Sequence, residues 1–341
     1  MSDDATLVDA ASRLFGELAR AGANEFDALW QQVRDMGFPL VLVPEERGGL
    51  GAGLIQAFAI ATASGYHAAA LPVPECMIGH STYAAATAEP DDAVTTVAFD
   101  AACTVTDERC TGTLRAVPWG RYSERIAFAH EGRNLLVRTR DAVAAEHNNN
   151  PAGESRDTFK FERAPVVSSP GPSVFALGAL LRAGQIAGAL QASLELSVRY
   201  ANERVQFGRA IGKFQVIQHN LAVFAEEAAA ARTAGEAAAR AAEIDAADFE
   251  IAAAKCRANK AAACGHATAH AVHGAIGFTL EYPLNRFTRR LLGWRSEFGS
   301  QRYWGQWLGR YSLQMAREGF WESLTGRSDK LGLQRLRDAN S

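Results

Sequence analysis

A mainly α-helical protein with a small β unit in its middle is what this sequence predicts, from three observations. Helical periodicity fills most of residues 1–90. Short runs rich in β-branched and aromatic residues, several of them separated by turn residues, fill residues 91–169. From residue 170 to residue 341 the chain returns to long Ala-rich helical patterns, after the linker Ser168-Ser169-Pro170-Gly171-Pro172. These are three units: an N-terminal helical domain, a reduced middle β domain and a C-terminal helical bundle.

In the first unit, residues 4–20 and 25–36 read as two amphipathic helices. Leu7, Ala11, Leu14 and Leu18 mark one face, and Phe26, Leu29, Val33 and Met36 the other. Gly37 stops the second helix. An apolar run then leads into the Gly-rich loop Pro44-Glu45-Glu46-Arg47-Gly48-Gly49-Leu50-Gly51, which has neither the GK[ST] nor the GxGxxG spacing of a phosphate loop. Residues 53–69 resume a helix, and Leu71-Pro72-Val73-Pro74 breaks it.

In the middle unit, residues 94–100, 103–106, 111–117, 125–130 and 134–138 read as strands of a small antiparallel sheet, and residues 146–154 as a polar surface loop. In the last unit, residues 174–206 form one helix of about 50 Å at 1.5 Å per residue. Helices over 213–240, 246–273, 281–293 and 299–318 follow. Phe224, Ile244, Phe249 and Ile251, set among the alanines, point to closely packed bundle helices.

Composition bounds the function. Of 341 residues, 48% are hydrophobic and 21% charged, and the net charge of −3 gives no reason to expect nucleic acid or an anionic membrane. No run reads as a membrane span and no apolar signal core opens the chain. The five cysteines lack CxxC spacing and read as reduced packing residues of a cytoplasmic protein. His266, His270 and His273 share a helix face without an acidic partner at a ligand position, so no metal site is assigned.

The chemistry concentrates at Asn202 to His219. Arg204 can fork onto a pyrophosphate. Gln206 and Gln215 can hydrogen-bond phosphate, ribose or ring edges, and Phe207 can wall a planar ring. Read by itself, the segment is equally an ordinary helix-loop-helix corner, with Arg204 a C-terminal helix cap.

Three motifs carry a family resemblance. Arg204-x-Gln206-Phe207-Gly208 with Gly212-Lys213-Phe214-Gln215-x-x-Gln218 resembles the RxxFG…FQxxQ signature of acyl-CoA dehydrogenases. The stretch His273-Gly274-Ala275-Ile276-Gly277-Phe278-Thr279-x-Glu281-Tyr282-Pro283 resembles their HGGIGFTxE or GGYGxxxEYP segment, and residues 44–51 their PEExGGxG loop. The resemblance implies an acyl-CoA dehydrogenase-like fold and FAD as cofactor, held across a subunit boundary by Arg204, Gln206, Phe207, Gln215, His273, Gly274 and Gly277. Gly274 and Gly277 would let the backbone approach the cofactor closely. It also implies an acyl-CoA substrate and an electron-transferring flavoprotein as acceptor.

The departures are as informative. Thr87-Ala88-Glu89-Pro90-Asp91-Asp92 lacks the Gly-Ser-Asp that follows TEP in the family. Gly112 to Gly120, with Trp119, lacks the Ser/Thr-Asn pair of its tryptophan run. The family places its catalytic glutamate in one of two positions, which fall here on Gly178 and Phe298. Glu297 is one residue off, a rotation of about 100° on a helix, and is the alternative base; otherwise it is a carboxylate at a helix start. The expectation is therefore the smaller, non-catalytic subunit of an α2β2 heteromer with a full-length paralogous dehydrogenase, acting on a bulky, steroid side-chain acyl-CoA. A self-sufficient enzyme using Glu297, or a flavin-free assembly subunit, are the competing readings.

Overall fold

The computed structural model describes residues 2–21, 26–87, 91, 93–245, 247–315, 319–322 and 324–327. Four helices come first: α1 (Ser2–Ala21), α2 (Phe26–Asp35), α3 (Leu54–Tyr66) and α4 (Val73–Ala86). Ala11, Phe15 and Leu18 turn the inner face of α1 into the core, and Trp30 with Val33 do so for α2. Met36, expected on that face, is 44% exposed, because α2 has ended by Asp35. Helix α4 was hidden by its prolines. Pro74 sits in its first turn, where the missing N–H costs nothing, so it starts a helix instead of breaking one.

The middle of the chain is a curled sheet: β1 (Thr95–Ala98), β2 (Asp100–Thr106), β3 (Arg109–Pro118), β4 (Arg125–His130), β5 (Arg133–Arg138), β6 (Ala144–Glu146) and β7 (Arg156–Ser169). Its order is β1-β4-β5-β7-β3-β2, with β6 on β7. It is not wholly antiparallel as expected. The β2–β3 hairpin lies between β1 and β4 in sequence, and this crossover lets Thr95–Ala98 pair parallel with Arg125–Phe128. Inside the curl, Ile126, Phe128, Leu135, Val137, Phe159 and Phe161 make a core of their own. The Thr87–Asp92 run lies between α4 and β1, and Ala88–Pro90 and Asp92 fall outside the described residues.

The rest is helical: α5 (Val174–Glu203), α6 (Gln215–Ile244), α7 (Asp248–His273), α8 (Leu284–Trp294) and α9 (Gln301–Met315). Helix α5 is long and apolar enough to cross a membrane by length and composition, contrary to the sequence expectation, but it forms the centre of the bundle. Its backbone touches α3 where Gly188 meets the Thr62 carbonyl, a gap in which a Cβ would stand 2.0 Å from that oxygen. Helix α5 stops at Glu203, three residues short of the expected end, because the chain turns there into the hairpin described next.

Candidate functional site

Arg204 leaves the helical region (ψ 115°), and Val205–Gln206 pair with Arg209–Ala210 as the two-residue strands β8 and β9. Phe207 and Gly208 make the turn, with φ of 54° and 77°. Two central residues at positive φ suit the twist of a tight hairpin. Glycine takes that conformation freely, whereas phenylalanine is strained there. At the tip of this turn the Phe207 ring points outward, 91% exposed and touching Phe214 edge-on at 6.2 Å. Arg204, Gln206 and Gln215 are exposed too, and among the described residues none of their side chains makes a hydrogen bond or ion pair. The corner thus presents an unpaired guanidinium, two free amides and a bare aromatic face to something outside the chain.

The second motif lies at the same end of the bundle. Tyr200, in the last turn of α5, stacks on His273 at the end of α7 (4.6 Å). His273 is buried. Its Nδ1 donates to the Ala269 carbonyl (2.8 Å), which leaves Nε2 to accept from the Tyr282 hydroxyl (3.2 Å). Burial holds its pKa below the ordinary imidazole value. Gly277 is buried as well, where an added Cβ would stand 3.1 Å from both His273 and Leu284. The side of Gly277 where a Cβ would stand is therefore filled by its own chain. Gly274 (φ 63°) opens onto free space. So the structure places Arg204, Gln206, Phe207, Gln215 and Gly274 on one outer end, with His273 and Gly277 beneath it.

The two positions that the resemblance reserves for a carboxylate meet in space. Gly178 on α5 faces Phe298, and a Cβ at residue 178 would lie 2.2 Å from the ring. Phe298 is 1% exposed, has a left-handed backbone (φ 52°) and packs against Phe99 (5.2 Å) and Phe175 (6.2 Å). An apolar ring on a glycine fills the spot. The segment bearing it is clamped. Trp304 Nε1 donates to the Phe298 carbonyl (2.9 Å), and Lys255 Nζ to the carbonyls of Trp294 and Gly299 (both 3.3 Å) and to Asn259 Oδ1 (2.6 Å). Burial pushes the Lys255 pKa well below its usual range. Replacing Gly178 by alanine should cost about 1–3 kcal/mol by overpacking against this ring, read as a lower melting temperature.

Beside Phe298 a cleft of about 680 Å³ opens between the β1–β2 corner and residues 296–303. Asp100 is the carboxylate among its described lining residues, and it pairs with Arg115 on the outer strands at 3.8 Å.

Glu297 points elsewhere. Its carboxylate accepts from Arg156 Nε (2.7 Å) and Arg182 Nη2 (2.8 Å). Arg182 also holds Glu75 of α4 (2.6 Å), and Arg156 reaches Glu154 (3.1 Å), which in turn holds Arg290 (2.8 Å) and Trp294 Nε1 (2.9 Å). All six charged groups are buried, three acidic and three basic, and they join α4, α5, α8 and the sheet. Burial alone would raise the two carboxyls, but Arg156 and Arg182 hold Glu297 below its ordinary value, and Arg290, Arg156 and Arg182 hold Glu154 at about 2. Residues 146–153 lie at the surface, as expected of a polar loop, and the loop's last residue, Glu154, alone turns into the interior. The sequence carried one unread signal for this network: Arg182, a lone charge within the apolar stretch 174–190 of α5.

Trp119 in the middle sheet is turned inward. It has φ 57°, is 7% exposed and stacks against Phe26 of α2 at 5.7 Å.

Residues 173–303 match the family model described as acyl-CoA dehydrogenase, C-terminal domain. This stretch belongs to the acyl-CoA dehydrogenase family. The chain is 28% identical over 273 residues to acyl-CoA dehydrogenase IpdE2 of Mycobacterium tuberculosis, covering 78% of this chain and 81% of that one. It is 30% identical over 314 residues to acyl-CoA dehydrogenase FadE34 of the same organism, covering 84% of this chain and 42% of the relative. Among solved structures, a chain of the ChsE4-ChsE5 complex from Mycobacterium tuberculosis superposes with a TM-score of 0.81 at 22% identity, covering 91% of this chain and 97% of that one. A variant of the Tcur3481-Tcur3483 steroid ACAD gives 0.84 at 24%, covering 93% and 99%. At these identities the superpositions establish the acyl-CoA dehydrogenase fold. Family membership supports oxidoreductase activity of the acyl-CoA dehydrogenase type.

Proposed function

We propose that this chain is the auxiliary subunit of a heteromeric, α2β2, FAD-dependent acyl-CoA dehydrogenase. A full-length paralogous partner supplies the catalytic base and most of the flavin site. The observation that carries this reading is the Phe298 ring packed on Gly178, which leaves neither family base position with a carboxylate. Glu297 is tied into a buried ion network by Arg156 and Arg182. A base must reach the substrate's α-proton, and a carboxylate whose oxygens both sit in ion pairs beneath the surface serves the fold instead.

The outer corner fits FAD. Arg204 binds a pyrophosphate oxygen, Gln206 and Gln215 take hydrogen bonds at phosphate, ribose or ring edge, and Phe207 covers a planar face. Gly274, with nothing within 4 Å of where its Cβ would be, lets the backbone come close. His273 and Gly277 hold that turn in place from below. Bound FAD would accept the β-hydride while the α-proton of the thioester is removed. Trp119, stacked on Phe26, is unavailable as a wall for a flavin of this chain's own, and the Gly-Ser-Asp and Ser/Thr-Asn elements are missing beside it. The substrate is an acyl-CoA with a bulky, steroid side-chain acyl group, in keeping with the steroid ACAD among the structural neighbours. Electrons leave to an electron-transferring flavoprotein.

Co-expression with the paralogous partner and turnover of acyl-CoA with an artificial acceptor test this. In the complex, Glu297→Gln should keep kcat within about threefold at a temperature where the complex stays assembled. A fall of three orders of magnitude would make Glu297 the base and the chain self-sufficient.

A further inference from the structure

We infer that His270 is a positioning residue that holds Phe278 as an outward aromatic ledge for a planar ring of the dinucleotide. The inference rests on the proposed FAD-lending role. Phe278 closes the short helical turn Gly274–Phe278 and is 69% exposed, at the end of the bundle that also carries Phe207. One face of its ring lies on the His270 imidazole, with centroids 4.1 Å apart and planes inclined by 23°. The opposite face has no ring against it among the described residues.

His270 is fixed in its turn by α8. Its Nε2 meets the Thr288 hydroxyl at 3.1 Å, and that hydroxyl donates to the Leu284 carbonyl at 3.3 Å. A hydroxyl has one proton to give, so Nε2 carries the hydrogen and donates to it. Nδ1 then bears a lone pair. It is buried without a partner and faces Gly277, where an added Cβ would stand 3.2 Å away. An unpaired buried acceptor is a cost that packing alone gives no reason to keep. An imidazole at this point does two things at once. It reaches the α8 hydroxyl, and it offers a flat ring to Phe278 while leaving room for Gly277. The chain of contacts runs from α8 through Thr288 and His270 to Phe278 and the Gly274 turn.

An exposed phenylalanine stacked from below loses little rotational freedom when a second ring lands on it, which is what a preorganised aromatic platform requires. The side chains facing His270 are His266 and His273 from α7, Thr288 from α8 and Phe278 itself.

The test uses the co-expressed complex. His270→Ala and Phe278→Ala should each weaken FAD retention about five- to tenfold, read from the flavin absorbance remaining after dilution. His270→Phe, which keeps the ring but not the hydrogen bond, should stay within about threefold of wild type. In the free chain, His270→Ala should speed amide exchange of residues 274–278 at least tenfold, and His270→Phe should not. Unchanged exchange in His270→Ala, or undiminished flavin in both alanine variants of a complex whose wild type holds FAD, would overturn this inference and leave the functional reading standing. A wild-type complex without FAD would overturn both.

Discussion

Replacing Arg182 by methionine should lower the unfolding free energy by about 3–5 kcal/mol, the usual cost of removing one partner from a buried ion pair. Methionine roughly keeps the volume and removes the charge. Glu75 would lose its ion pair outright, and Glu297 would keep only Arg156. Neither carboxylate can turn to water, because both are nearly fully buried, and the guanidinium also lies 5.4 Å from the Trp294 ring and 5.6 Å from Phe298. The loss would be felt in the N-terminal helices, the sheet and the bundle alike, since Arg182 ties α5 to α4 and, through Glu297 and Arg156, to β7. Urea unfolding followed by tryptophan fluorescence would read it as a lower midpoint at similar slope. Adding Glu75→Gln to the Arg182→Met chain should recover part of the loss, because one orphaned charge is then gone. A cost below about 1 kcal/mol for the single change would mean the network is solvated and does not lock these elements together.

Replacing Arg204 by alanine in the complex should weaken FAD retention by about ten- to hundredfold while leaving the melting temperature of this chain unchanged. A hydrogen bond to a charged group contributes about 1.5–3 kcal/mol, and 1.4 kcal/mol is a factor of ten. The structure makes the two readouts separable. The Arg204 side chain is exposed and makes no hydrogen bond or ion pair among the described residues, so its removal should cost the isolated fold little. Lysine at the same place should rescue only part of the affinity, because it cannot form the forked pair. Undiminished flavin in the alanine variant would favour the reading in which the bundle serves assembly alone.

The helix-sheet-helix order was legible because periodicity and composition change sharply near residues 90 and 170. The bundle helices were legible because apolar residues interrupt their alanines at helical spacing. What stayed hidden was set by partners distant in sequence. Helix α4 was masked by Pro72 and Pro74, which read as breakers until the first-turn position of Pro74 is seen. The parallel β1–β4 pair depends on a crossover that no local pattern reports. Glu154 sits in a run of Asn, Pro and Gly that spells a surface loop, and only Arg290, Trp294 and Arg156 explain its burial. At the site, motif spacing located Gly178 and Phe298 separately. That the one fills the notch left by the other is a tertiary fact, as is the fate of Glu297. The exposure of Phe207 followed from a turn that places a phenylalanine at positive φ, where propensity alone would put glycine or asparagine.

The FAD content of the purified protein, alone and with its paralogous partner, tests the central claim most directly. The account predicts a colourless chain on its own and about one FAD per heterodimer in the complex. A yellow, active homomer carrying one FAD per chain would contradict it.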